Sequence, residues 1–198
     1  QARLQPADAV PTLEPTPANL FTRAGVGLTG VRYSSSSLGD VNGDGTLDLV
    51  ITGGDANNAP TARLYLGDGS GGFTDAQAGL TGVAFSSSSL GDVNGDGHLD
   101  LVITGFGNND RTAIYLGDGS GGFTDAEAGL TGVERGSSSS LGDVNGDGHL
   151  DLVITGQDAN DNPTATMYLG DGDGGFTDAQ AGLRGVRGGS SSLGDVNG

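Results

Sequence analysis

Apolar residues in this chain fall in short runs at regular intervals. The run Leu-Val-Ile-Thr-Gly occurs at 49–53, 101–105 and 152–156. It is rich in β-branched residues and closed by Gly, the pattern of a buried strand. A second run alternates. Ala62, Leu64 and Leu66 fall on one face, with Arg63 and Tyr65 on the other. The third copy keeps the alternation, with Ala165, Met167 and Leu169 against Thr166 and Tyr168. Between such a run and the next comes Gly-Asp-Gly-Ser-Gly-Gly (67–72), which is hairpin chemistry. No segment shows a 3.6-residue apolar period, so no helix is expected.

These elements recur in a fixed order. Asp-Val-Asn-Gly-Asp-Gly begins at Asp40, Asp92 and Asp143, and its first four residues recur at Asp195. A serine run precedes each copy, at 34–37, 86–89, 137–140 and 190–192. About four short strands in a repeat of roughly 50 residues is the signature of a propeller blade. The expected fold class is all-β, with four-stranded antiparallel blades in tandem. Residues 1–19 hold most of the prolines and no strand pattern, and read as an extended tail. The repeats occupy 20–198. A part-blade (20–33) matches the end of a unit, and units start near 34, 86 and 137. A truncated unit starts at 190. The loops between the second and third strands vary most, so partner-specific surface is expected there.

Charge narrows the partners. The chain has 8 basic residues, all Arg, against 25 acidic ones, for a formal net charge of -17. That balance opposes nucleic acid and anionic membranes. It suits a cation binder. There is no Cys, so there is neither a disulfide framework nor a thiolate site. No apolar stretch approaches the roughly 20 residues of a membrane span.

The acidic loop carries the chemistry. Counted from its first Asp, positions 1, 3, 5 and 9 are Asp40, Asn42, Asp44 and Asp48, all with side-chain oxygens. Position 6 is Gly45, where the turn is sharp. Position 7 is Thr46, which would offer its backbone carbonyl. The second copy supplies Asp92, Asn94, Asp96 and Asp100, with His98 at position 7. The third supplies Asp143, Asn145, Asp147 and Asp151, with His149 at position 7. The fourth has Asp195 and Asn197 only, an incomplete site. Hard oxygens at alternate positions around a Gly-pivoted turn suit Ca²⁺, which takes 6–8 of them. Mg²⁺ demands tighter octahedral geometry and keeps more water. Carboxylates crowded into one turn also repel unless a cation sits among them. One ion per complete loop is expected. An EF-hand needs Glu at position 12 and flanking helices. Here position 12 is Ile51, Ile103 or Ile154, each inside a strand run.

The stretch Gly-Asp-Val-Asn-Gly-Asp-Gly-x-Leu-Asp-Leu-Val-Ile-Thr-Gly resembles the calcium-binding blades of FG-GAP and VCBS-type repeats, the integrin α-like propeller. The resemblance covers residues 20–198. It implies a β-propeller with one Ca²⁺ held between the first two strands of each blade. It also implies an extracellular or cell-surface setting with adhesive, scaffolding or carbohydrate-binding roles. The Phe-Gly and Gly-Ala-Pro signatures are absent, with serine runs and Thr-Gly-x in their places, so the VCBS-type variant fits better. Closed propellers of this group commonly have seven blades, and this chain has too little material for that.

Other signals add less. Thr46 stands where His98 and His149 do, so the imidazole is not required there. Asp68, Asp118 and Asp171 read as hairpin-turn residues, with a second cation site as the alternative. Small side chains in the serine runs suit a crowded inner strand, and O-glycosylation is the alternative reading. Asn162-Pro163-Thr164 has Pro in the position that blocks N-glycosylation. No nucleophile elbow or Cys site marks an enzyme. The expected function is an extracellular, calcium-stabilised structural or adhesive repeat protein, a segment or subunit of a longer fibre or surface assembly. Head-to-tail self-association through open strand edges is the expected partnership, with other extracellular proteins or glycans as further partners and no membrane insertion. The alternative is a carbohydrate-binding propeller lectin, which would need stacking aromatics. Tyr65, Tyr115, Tyr168, Phe73, Phe123 and Phe176 recur at equivalent places and read as packing residues.

Overall fold

The computed structural model describes residues 27–107 and 112–194. The Pro-rich tail (1–19), Asp195 and Asn197 lie outside the described residues. Among those described there is no helix. Three four-stranded antiparallel sheets follow one another in sequence. The first holds β1 (Arg32–Gly39), β2 (Asp48–Gly54), β3 (Pro60–Gly67) and β4 (Phe73–Asp75) in that order. The second holds β5 (Ala84–Gly91), β6 (Asp100–Phe106), β7 (Ala113–Gly117) and β8 (Phe123–Asp125). The third holds β9 (Arg135–Gly142), β10 (Asp151–Gln157), β11 (Pro163–Gly170) and β12 (Phe176–Asp178). Each sheet is a blade, and the three make a partial propeller. The serine runs form the first strand of each blade and the Leu-Val-Ile-Thr-Gly runs the second, as their patterns predict.

The core lies between blades rather than within them. Val50 and Leu64 of the first blade meet Leu101, Ile103, Ala113 and Tyr115 of the second. Val102 and Ile114, on the other face of the second blade, meet Leu152, Ile154 and Tyr168 of the third. The middle blade is therefore buried on both faces, and every residue of β6 from Asp100 to Gly105 is buried. The alternation in β3 holds, with Leu64 and Leu66 facing the second blade. Tyr65, on the opposite face, is also buried. Its hydroxyl accepts from the Thr29 N–H at 3.1 Å and donates to the Thr29 hydroxyl at 2.9 Å. Tyr115 repeats the first bond with Thr81 at 3.1 Å. Tyr65 and Tyr115 thus tie the incoming linker to the first and second blades.

First strands of neighbouring blades are joined by serine hydroxyls. Ser88 Oγ lies 3.1 Å from Ser35 Oγ and 2.8 Å from Ser37 Oγ. The Ser88 N–H also donates to Ser35 Oγ at 3.1 Å. Ser139 is held in the same way by Ser87 and Ser89, at 3.1 and 2.8 Å. Residues 190–194 take the corresponding place beside β9. Ser191 is bonded to Ser138 at 3.0 Å, and its carbonyl accepts from Ser140 Oγ at 2.8 Å. A Leu-on-Gly contact accompanies each clasp. A Cβ on Gly39 would run into Leu90 and Leu99, and one on Gly91 into Leu141 and Leu150. On Gly142 it would press on Leu193. The serine run is small because blades approach closely here, and its hydroxyls bond across the gap.

Candidate metal centre

The acidic loops occupy the β1–β2, β5–β6 and β9–β10 connections, where the spacing predicts them. Ile51, Ile103 and Ile154 lie in β2, β6 and β10, so position 12 is an apolar strand residue and offers no side-chain oxygen. In the first loop Asp40 accepts the N–H of Asp44 at 3.1 Å and that of Gly45 at 2.8 Å, one on each carboxylate oxygen. Asn42 donates its amide to Asp44 at 2.9 Å and accepts the Asp44 N–H at 3.1 Å. Asp44 accepts the N–H and hydroxyl of Thr46, at 2.8 and 2.6 Å. Gly45 has φ +85°, and so needs no Cβ.

The second and third loops repeat this network. Asp92 accepts from Gly95 and Gly97, at 2.7 and 2.9 Å. Asp143 accepts from Gly146 and Gly148, at 2.7 and 2.9 Å. Asn94 and Asn145 donate to Asp96 and Asp147 at 2.9 and 2.8 Å. The N–H groups of His98 and His149 replace that of Thr46, at 2.8 and 2.9 Å. Their imidazoles lie against the turn glycines Gly119 and Gly172, where an added Cβ would strike the rings. The Thr46 hydroxyl reaches the Gly67 carbonyl of the same region at 3.0 Å. Position 7 therefore braces the loop on the next turn of its own blade.

Position 9 has a role that spacing does not reveal. Asp48 is 1% exposed, and Asp100 and Asp151 are 0% exposed. Each spans two elements. Asp48 accepts the N–H of Val41 and of Gly67, both at 2.9 Å. Asp100 accepts from Val93 and Gly117, both at 2.8 Å. Asp151 accepts from Val144 at 2.8 Å and Gly170 at 3.0 Å. The buried carboxylate fastens the start of the loop to the end of the third strand. A Cβ on Gly117 would run into the Leu99 carbonyl, so the strand end must be Gly.

Electrostatics separates the two kinds of carboxylate. The Thr46 hydroxyl, then Asn42 and the Thr46 N–H, hold Asp44 below the ordinary carboxylate pKa. The His98 N–H does the same for Asp96, and the His149 N–H for Asp147. These exposed groups stay ionised. Burial pushes Asp100 up, the amides of Gly117 and Val93 oppose the shift, and the charges of Asp96 and Asp92 add to it. The second loop thus gathers mutually repelling carboxylates around one buried member.

Among the described residues, no three carboxylate or imidazole side chains stand close enough together to hold a metal ion by themselves. The loop carboxylates face the loop's own amides. The donor set nevertheless fits a hard cation. It is all oxygen, from two carboxylates and an amide in each loop besides the buried Asp, and a positive charge would offset the repulsion among the carboxylates. The residues that would hold Ca²⁺ are Asp40, Asn42 and Asp44, with Thr46 through its carbonyl and Asp48 from below. Their counterparts in the other two loops would do the same.

Asp68 shows how the hairpin turns are built. One of its oxygens accepts the N–H groups of Ser70 and Gly72, both at 2.8 Å. Asp118 repeats this with Ser120 and Gly122 at 2.8 and 3.0 Å. Asp171 does so with Asp173 and Gly175, both at 2.9 Å. They act as turn residues.

A family model described as FG-GAP-like repeat matches residues 40–103, 92–154 and 143–198. No curated protein matches the chain. One solved structure that matches is an Agrocybe aegerita lectin, described by its specific recognition of non-reducing terminal N-acetylglucosamine. It is 20% identical, with a TM-score of 0.49, over 73% of this chain and 36% of that one. This chain therefore spans little more than a third of the lectin's length.

Proposed function

We propose, from the premise that this chain belongs to the FG-GAP-like repeat family, that it is an extracellular, calcium-stabilised structural or adhesive repeat protein and not an enzyme. The observation that carries the reading is the threefold recurrence of one loop. In each, an Asp-x-Asn-x-Asp oxygen set leads into a buried Asp that fastens the loop to the third strand. A cation bound to this set would be tied through that Asp into the blade, so binding would stiffen the blade itself. Extracellular modules hold Ca²⁺ at about 10⁻⁴–10⁻³ M. Exposed loops already folded on their own amides suit that weak range and a calcium-rich setting.

A lectin role gains no support from the recurring tyrosines, since Tyr65, Tyr115 and Tyr168 are buried and cannot stack on a sugar. Isothermal titration of the full chain with Ca²⁺ tests the metal reading. Binding at one ion per complete loop supports it, and no heat above the dilution baseline up to millimolar calcium rejects it. Asp44→Ala is expected to remove one site and leave the rest.

A further inference from the structure

Each acidic loop contains an Asn-Gly pair: Asn42-Gly43, Asn94-Gly95 and Asn145-Gly146. A further pair, Asn197-Gly198, lies outside the described residues. Asn before Gly is open to attack on its own side chain, because no Cβ on the next residue shields that residue's backbone nitrogen. The first two pairs are closely matched. Asn42 Oδ1 accepts the Asp44 N–H, and Asn94 Oδ1 the Asp96 N–H, both at 3.1 Å. Their amide groups donate to the same two aspartates, both at 2.9 Å. Gly43 and Gly95 have φ +71° and +74°. Both Asn residues are half-buried, and each lies under the next blade's hairpin turn. A Cβ on Gly121 would come within 3.9 Å of Asn42 Cβ, and one on Gly174 within 3.8 Å of Asn94 Cβ.

One hydrogen bond separates them. The Gly95 N–H donates to the Asp92 carboxylate at 2.7 Å, and the Gly146 N–H to Asp143 at 2.7 Å. In the first loop the Asp40 carboxylate is taken by the N–H groups of Asp44 and Gly45. The Gly43 N–H has no hydrogen-bond partner among the described residues. This nitrogen is the nucleophile, and it must give up its proton to attack. A carboxylate at hydrogen-bond distance opposes that, since it holds the proton in place and repels the charge left on nitrogen.

We infer that Asn42 is a site of spontaneous deamidation, and that the fold makes it react ahead of Asn94 and Asn145. The Gly43 nitrogen attacks Asn42 Cγ. The N–Cγ bond forms, the Cγ–Nδ2 bond breaks, and ammonia leaves with the proton that Gly43 gives up. The Asp44 N–H on Oδ1 supports the charge that develops there. Water then opens the succinimide. Opening at Cγ breaks the new bond and leaves aspartate, which keeps the loop's oxygens in place. Opening at the Asn42 carbonyl carbon breaks the original peptide bond and leaves isoaspartate. The backbone then runs through Cβ, so the loop is longer between Asp40 and Asp44 and its oxygens no longer converge. Loss of the first calcium site on ageing follows. That consequence rests on the calcium reading above, and the deamidation itself does not.

Peptide mapping by mass spectrometry, on the full chain aged at neutral pH in EDTA, provides the test. Cleavage after arginine places Asn42 in 33–63, Asn94 in 64–111 and Asn145 in 136–184, so each site is read alone. In the folded chain Asn42 is expected to convert about tenfold faster than Asn94, or more, since a charge-assisted hydrogen bond must be given up at Gly95. In urea the three are expected to convert alike. Asp92→Asn weakens the hold on the Gly95 N–H and is expected to speed Asn94. Asn42→Gln is expected to abolish conversion in 33–63. Equal or slower conversion at Asn42, the same ranking in urea, an Asn94 rate unmoved by Asp92→Asn, or conversion that survives Asn42→Gln would each overturn the inference. Calcium titration of fresh and aged chain reads the consequence. Aged chain rich in isoaspartate at position 42 is expected to bind fewer ions, and an equal number would refute the loss of the site. Fresh chain that binds no calcium would reject the calcium reading alone and leave the modification standing.

Discussion

The hydroxyl of Thr52 lies 2.7 Å from that of Ser86, buried at the boundary between the first and second blades. In the second blade Thr104 accepts from Thr112 at 3.1 Å. In the third, Thr155 Oγ1 is buried with no hydrogen-bond partner. The position that Ser86 fills beside Thr52 is Gly189 beside Thr155. Copying has left one hydroxyl without its mate.

That asymmetry sets opposite signs for one substitution. Thr155→Val removes an unsatisfied buried hydroxyl and is expected to raise stability by about 1 kcal/mol. Thr52→Val strands Ser86 and is expected to cost about 1–2 kcal/mol. Denaturant unfolding of the two variants beside the wild type checks both. Equal effects of the same sign would count against the hydrogen-bond assignment.

Asp96 and Asp100 differ in a way that mutation should separate. Asp100→Ala leaves the buried N–H groups of Val93 and Gly117 unpaired, at roughly 1–3 kcal/mol each. It is expected to destabilise the chain strongly even in EDTA. Asp96→Ala touches an exposed carboxylate and is expected to lower calcium stoichiometry with little effect on the metal-free fold. Chemical denaturation in EDTA, alongside calcium titration, distinguishes brace from donor.

Acid should weaken the hairpin turns. The Ser70 N–H, then the Gly72 N–H and the Ser70 hydroxyl, hold Asp68 below its ordinary pKa. The Ser120 N–H and hydroxyl do so for Asp118, and the Asp173 N–H for Asp171. A carboxyl whose pKa is lower in the folded chain stabilises it above the unfolded value of about 3.9. That contribution is lost as pH falls through the folded value. The denaturant midpoint is therefore expected to drop below about pH 4. Asp68→Asn keeps an acceptor oxygen without the charge and is expected to flatten its share of the decline.

Much of this was legible in the sequence because the chemistry is local. The oxygens of Asp40, Asn42 and Asp44 lie within five residues, and the run around Ile51 announces its strand. The contacts between blades were not legible from local pattern. Ser37 and Ser88 are 51 residues apart, and nothing near either predicts the other. The repeat period itself is the signal that points there, since every clasp joins residues separated by about one period. Tyr65 reads as a packing residue and is buried, but the partner of its hydroxyl was hidden for the same reason, since Thr29 belongs to the linker before the blade. Asp48 was legible as a donor. Its bond to Gly67 depends on where the third strand ends, which the loop does not specify.

The central claim is that calcium belongs to the folded blades. An ion that binds the folded loops and not the unfolded chain adds RT ln(1 + [L]/Kd) to stability. Thermal unfolding of the full chain in EDTA and across a calcium series tests this most directly. The midpoint is expected to rise with calcium, in proportion to the number of intact loops, and to fall back when EDTA is added. A midpoint that stays the same in EDTA and in millimolar calcium would contradict it.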